Sequence, residues 1–138
     1  MTSMAKAAPS KPRVLVVDDE AAVLFTYRMI LEQQGYEVTA ASNSRDAKAA
    51  IETIDFDLVL CDFSLEQQHT GFEVIEAARV RRPDMPSVIL TGYASIETAD
   101  SAKNKNIQVL FKPIDIQEFL GTTRALLRNE NEPAENAD

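Results

Sequence analysis

The chain has 138 residues, 45% hydrophobic and 26% charged, with a formal net charge of −8. That length suits one domain with a real core, and so acidic a balance argues against a nucleic-acid-binding surface, which wants a basic stripe. No stretch approaches the ~18 apolar residues of a membrane span, and Cys61 has no second cysteine to pair with, so a cytoplasmic, reducing compartment is expected. The segment before Arg13 lacks the apolar core of a signal peptide.

Residues 1–12 are small, polar and proline-punctuated, and residues 129–138 (NENEPAENAD) are acidic without apolar periodicity. Neither segment carries enough apolar surface to offset the entropy of ordering, so both read as disordered tails around a folded domain at 13–128. Within that domain, Arg13-Val14-Leu15-Val16-Val17 is an apolar run leading into Asp18-Asp19-Glu20. Ala21 to Gln34 then places Val23, Tyr27, Ile30 and Leu31 on one helical stripe, with Gly35 where a helix commonly ends in a left-handed residue. Tyr36 to Ala41 reads as a short strand, and Ser44 to Ile54 as a helix with Ala47, Ile51 and Ile54 inward.

The next apolar run, Leu58-Val59-Leu60-Cys61, ends in Asp62. Gly71 to Arg81 predicts a helix with Phe72, Ile75 and Ala78 inward, and Ser87 to Leu90 a strand ending at Thr91-Gly92. Ser95 to Lys103 predicts a helix with only Ile96, Ala99 and Ala102 on its apolar stripe, thinly anchored and mobile. Ile107 to Phe111 is a fifth strand, ending in Lys112-Pro113. Asp115 opens the last helix, with Glu118 three residues on as a capping box and Ile116, Phe119, Leu120, Thr123, Leu126 and Leu127 inward.

Apolar runs without alternation are the habit of strands buried on both faces, as in a parallel sheet. Five strand–helix pairs in strict alternation imply a flavodoxin-like, doubly wound α/β fold with strand order 2-1-3-4-5. In such a sheet function gathers at the carboxyl ends of the strands, and the switch point lies between the first and third. Asp18, Asp19 and Asp62 converge there, with Thr91 and Lys112 on neighbouring strand ends. Three ionised carboxylates do not crowd together without a cation, and hard oxygen donors in a small site suit Mg²⁺. A carboxylate can also act as a nucleophile toward phosphorus, with an ammonium and a hydroxyl to meet the phosphoryl charge.

The motifs VLVVDDE (14–20), LVLCD (58–62), ILTGYAS (89–95) and LFKPID (110–115) resemble those of a receiver domain of the bacterial response-regulator family, from two-component signalling. The resemblance runs from about Arg13 to Leu127. It implies that Asp62 is the phosphoacceptor, that Asp19 binds Mg²⁺ directly and Asp18 mostly through water, and that the Ser64 carbonyl is the third protein ligand. It implies that Lys112 contacts the phosphoryl group, that Thr91 is the switch hydroxyl and that Lys112-Pro113 is cis. It further implies a sensor histidine kinase or histidine phosphotransfer protein as donor, a downstream protein target, and dimerisation through the face of the fourth helix, fifth strand and fifth helix. With no output domain, the chain is expected to act alone through protein contacts.

Two departures stand out. The family's Met-Pro or Leu-Pro pair after the phosphoacceptor is absent; Phe63-Ser64-Leu65 leads into Glu66, and the path to Gly71 is one residue longer than the family's. Val109 stands where the family has an aromatic residue that swings inward on phosphorylation, so the switch is muted or another side chain takes its part. Tyr93, two residues after Thr91, is expected to shield the phosphoryl group from water. Simpler roles for these residues are a strand-end turn and helix cap for Asp18 and Asp19 and a turn residue for Thr91. His69 reads as a solvated loop residue and Cys61 as a small core residue.

Two other functions compete with phosphoryl signalling. One is a receiver-like scaffold that works without phosphate. The other is a Mg²⁺-dependent phosphohydrolase with an aspartyl nucleophile, which usually wants a second acid two residues after that nucleophile, where this chain has Ser64.

Overall fold

The computed structural model describes residues 11–92 and 96–131. The two tail segments 1–10 and 132–138 lie outside the described residues, as do Tyr93 and Ser95. Five strands alternate with five helices: β1 (Arg13–Val17), α1 (Ala21–Gln33), β2 (Glu37–Ala41), α2 (Ser44–Thr53), β3 (Leu58–Asp62), α3 (Gly71–Arg81), β4 (Ser87–Thr91), α4 (Ile96–Asn104), β5 (Gln108–Phe111) and α5 (Ile116–Asn131). The strands form one sheet in the order β2-β1-β3-β4-β5, and every neighbouring pair is parallel. Fold class and strand order are as the alternating pattern predicts. α5 runs on to Asn131, so it takes in the first residues that composition assigns to a tail.

The two faces of the sheet carry separate cores. Leu15, Val17, Val59, Cys61 and Ile89 meet Ala47 and Ile51 of α2, Val74, Ile75 and Ala78 of α3, and Ala102 of α4. Val14, Val16, Leu58, Leu60, Val88 and Leu90 meet Tyr27 and Leu31 of α1 and Phe119, Leu120 and Leu127 of α5. Tyr27 stacks on Phe119 at 5.0 Å between ring centroids. β3 and β4 are buried along their whole length, which is why their sequences are continuously apolar. The edge strands β2 and β5 are only partly covered, and their sequences EVTAA and QVLF are correspondingly more polar.

Two inward assignments are corrected. Ile96 is 81% exposed and Ile116 39% exposed, because each stands at the first residue of its helix with no sheet beneath it. Ala102 is the buried residue of α4, so the thin anchoring expected of that helix is thinner still. Val74, left out of the predicted stripe, is fully buried.

Local chemistry terminates the helices. α1 ends with Gly35 at φ +93°, its N–H bonded to the Glu32 carbonyl and that of Tyr36 to the Leu31 carbonyl, a Schellman closure. Asn43 caps α2 by accepting from the Asp46 N–H at 2.7 Å, Thr70 and Glu73 form a capping box on α3, and Asp115 accepts from the Gln117 and Glu118 amides at the start of α5. At the amino ends of the strands, the Arg79 guanidinium donates to the Met85 and Asn106 carbonyls at 3.0 and 3.1 Å, and also to that of Lys105. Arg79 thereby ties α3 to the turn between α4 and β5.

Candidate functional site

The sheet registers bring the acidic strand ends together. Val17 lies opposite Cys61, so Asp18 and Asp62 continue side by side from adjacent strands. The loop after β1 is drawn toward β2 by the Asp18 N–H, which donates to the Ala41 carbonyl. Carboxylate oxygens of Asp18, Asp19 and Asp62 all lie within 4.8 Å of one another. Asp18 is fully buried, Asp62 only 8% exposed, and Asp19 faces solvent. The Asp18 Oδ1 accepts from the Glu20 N–H at 2.9 Å, which holds its carboxylate at the mouth of α1.

Lys112 reaches across from the end of β5. Its Nζ lies 3.2 Å from Asp18 Oδ2 and 3.2 Å from Asp62 Oδ1. Its own N–H donates to the Thr91 carbonyl, which sets β4 and β5 together at this end, and the Lys112-Pro113 bond is cis, as expected. Burial first, then the Asp18 charge, push the Asp62 carboxyl up to about 6, with Lys112 pulling the other way. Burial works against the Lys112 ammonium, but Asp62 and Asp18 outweigh it and hold its pKa above the ordinary lysine value.

Thr91 is buried at the end of β4, paired in register with Phe111. Val109 does not reach the site: it faces Ile89 and packs on the core beneath α2, α3 and α4. Ser64 is exposed, and its backbone pairs with that of Thr70 in an isolated antiparallel bridge. Cys61 is buried, with its thiol pKa raised by burial and then by Asp62, and so behaves as a core residue.

The loop between β3 and α3 contains what sequence reasoning missed. Glu66 bonds across to α2, accepting from the Ser44 Oγ–H at 2.7 Å and the Ser44 N–H at 3.2 Å. Desolvation works against the Glu66 carboxylate, but the two Ser44 bonds prevail and lower its pKa. Gln67 and Gln68 sit at φ +54° and +68°. His69 is not a free solvated side chain: its Nδ1 lies 2.9 Å from Glu73 Oε1, and Glu73 also faces Lys48 at 3.7 Å. Gly71 allows α3 to start close against β3, since a Cβ there would stand 2.6 Å from the Asp62 carbonyl oxygen.

A family model for the response regulator receiver domain matches residues 14–124. The chain belongs to that family. Among relatives of this receiver domain, the alginate biosynthesis transcriptional regulatory protein AlgB of Pseudomonas aeruginosa is 38% identical over 102 residues, covering 73% of this chain and 22% of that protein. The transcriptional regulatory protein ZraR of Escherichia coli K12 is 32% identical over 115 residues, covering 83% of this chain and 26% of that protein. The chain thus spans about a quarter of the length of the curated relatives it matches.

Among solved structures, a CheY-like receiver domain protein from Methanospirillum hungatei superposes with a TM-score of 0.81 at 35% identity, covering 87% of this chain and 96% of that one. The Vibrio cholerae chemotaxis protein CheY4 gives 0.78 at 28%, covering 85% and 99%. The receiver domain is a signalling module of two-component systems, and among its described residues no helix is long and apolar enough to cross a membrane.

Proposed function

We propose that this receiver domain accepts a phosphoryl group on Asp62 from a phosphohistidine, carried by a sensor histidine kinase or a histidine phosphotransfer protein. The observation that carries this reading is the Lys112 ammonium, 3.2 Å from both Asp18 and Asp62 at the rim of a three-carboxylate cluster. The donor set fits Mg²⁺: three hard carboxylate oxygens within 4.8 Å of one another, with Asp62 pushed up to about 6 by burial first and then by the Asp18 charge. Asp18, Asp19 and Asp62 would hold the ion, with the Ser64 carbonyl as a further ligand. Bound there, Mg²⁺ supplies charge neutralisation for the phosphoryl oxygens.

The remaining chemistry belongs to the chain. An Asp62 carboxylate oxygen attacks phosphorus, the bond from phosphorus to the donor imidazole breaks, and its electron pair stays on the imidazole nitrogen. Lys112 follows the negative charge from the Asp62 carboxylate to the phosphoryl oxygens. Thr91, at the next strand end, contributes its hydroxyl to the same oxygens. Phosphorylation then shifts the population of the α4–β5–α5 surface, where Ile96 and Phe111 are exposed, toward the state that a protein target prefers. A coupling of roughly 1–3 kcal/mol is ordinary for such a shift. This surface is also where we place homodimerisation.

The test is incubation with Mg²⁺ and a small acyl-phosphate donor, followed by intact-mass measurement beside Asp62→Asn. One added phosphoryl group is expected, absent from the variant and absent when Mg²⁺ is chelated. No adduct from either this donor or a phosphorylated histidine phosphotransfer protein overturns the reading in favour of a phosphate-independent scaffold.

A further inference from the structure

The segment between Asp62 and α3 is a closed unit. The Gly71 N–H donates to the Phe63 carbonyl at 2.8 Å, the Leu65 N–H to the His69 carbonyl at 2.9 Å and the His69 N–H to the Glu66 carbonyl at 3.0 Å, while Ser64 bridges Thr70. Its tip is strained: consecutive non-glycine residues, Gln67 and Gln68, occupy the left-handed region. Such a conformation is unfavourable for a residue with a Cβ and persists only where the surroundings over-determine it. Leu65 anchors the unit by burial. Among the described residues of this loop, Glu66 makes the polar tie to α2, through the Ser44 hydroxyl and amide.

Ser64 therefore stands between two fixed points, the end of β3 on one side and the Glu66 clasp on the other. Glu66 is also not among the carboxylates that gather at the cation site. Its oxygens are committed to Ser44, so its effect on the site passes through the backbone it holds.

We propose that Glu66 is a positioning residue for cation binding: by clasping Ser44 at the start of α2, it holds the 63–71 loop, and with it the Ser64 carbonyl, in the metal-binding conformation. This rests on the reading of Asp18, Asp19, Asp62 and Ser64 as the Mg²⁺ site. An outer partner that orients a ligand typically contributes ten-fold or more in metal affinity.

The experiment is calorimetric titration of the full chain with MgCl₂, together with amide hydrogen exchange in chelator. Glu66→Ala should weaken Mg²⁺ binding about tenfold and speed exchange at Leu65 and His69. Glu66→Gln, which keeps an acceptor oxygen for Ser44, should stay close to wild type in both. Ser44→Ala, which removes the hydroxyl and keeps the amide, should fall between and serves if Glu66→Ala does not fold. Unchanged Mg²⁺ affinity in Glu66→Ala, while Asp19→Asn loses binding, overturns the inference alone. Glu66→Gln as weak as Glu66→Ala also overturns it, because the carboxylate's charge would then be acting directly. Unchanged binding in Asp19→Asn removes the metal site itself, and this inference with it.

Discussion

The Asp62 carboxyl titrates near 6 because burial strips its solvation and Asp18 repels its charge, with Lys112 only partly offsetting them. The folded protein therefore holds this proton to a higher pH than the unfolded chain, whose Asp titrates at the ordinary 3.8. By linkage, the wild-type protein in chelator loses stability as pH rises from about 4 to about 6, and the loss is complete above that window. Asn resembles the protonated carboxyl and does not titrate. Asp62→Asn should therefore be more stable than wild type by up to about 3 kcal/mol at pH 7.5, with the advantage gone below about pH 4. Denaturant melts of both proteins in chelator at the two pH values check this; equal stability at pH 7.5 would contradict it.

The same residues show what a sequence makes legible. Asp18, Asp62, Thr91 and Lys112 each close an apolar run, so strand pattern and topology alone bring them to one end of the sheet. The Glu66–Ser44 clasp has no such signal: the partners stand 22 positions apart, and a glutamate in a polar loop looks solvated. His69 was legible in principle, since Glu73 lies one helical turn further on.

At the scale of elements, the junction of β3 and α3 is set by Gly71. A Cβ there would stand 2.6 Å from the Asp62 carbonyl oxygen, 2.7 Å from Ile89 Cδ1 and 3.2 Å from Cys61 Sγ. Two of these neighbours lie in β3, so relief requires the helix to back away from the strand that carries Asp62. Gly71→Ala should cost about 1–3 kcal/mol by thermal melt and also slow phosphoryl uptake at Asp62. A destabilised variant with wild-type uptake would show that the strand end tolerates the shift. Two element boundaries were legible because a breaker or a cap marks them: Gly35 sits where α1 ends and Asp115 where α5 begins. Ile96 and Ile116 were misread because periodicity specifies a direction around the helix axis, not how far the sheet extends beneath the first turn.

At the scale of the whole molecule, folding collects like charges that the unfolded chain keeps apart. A cation that binds only the folded state raises stability by mass action, about 2.7 kcal/mol at a hundred times its dissociation constant. Saturating Mg²⁺ should thus raise the melting temperature of the wild-type protein by several degrees and leave Asp19→Asn nearly unmoved. A wild-type melt indifferent to Mg²⁺ would speak against cation binding at the cluster.

Arg79 pins the turn that follows α4. Its guanidinium grips the Lys105 and Asn106 carbonyls just beyond the carboxyl end of α4 and the Met85 carbonyl before β4, while Thr91 stands at the opposite end of β4. A lever fixed at one end and pushed near the other swings rather than slides. On the reading that phosphorylation at Asp62 moves α4, the expected displacement is graded, greatest at Ile96 and Glu97 and smallest toward Lys103, and amide exchange along the helix with and without a phosphoryl donor measures that gradient.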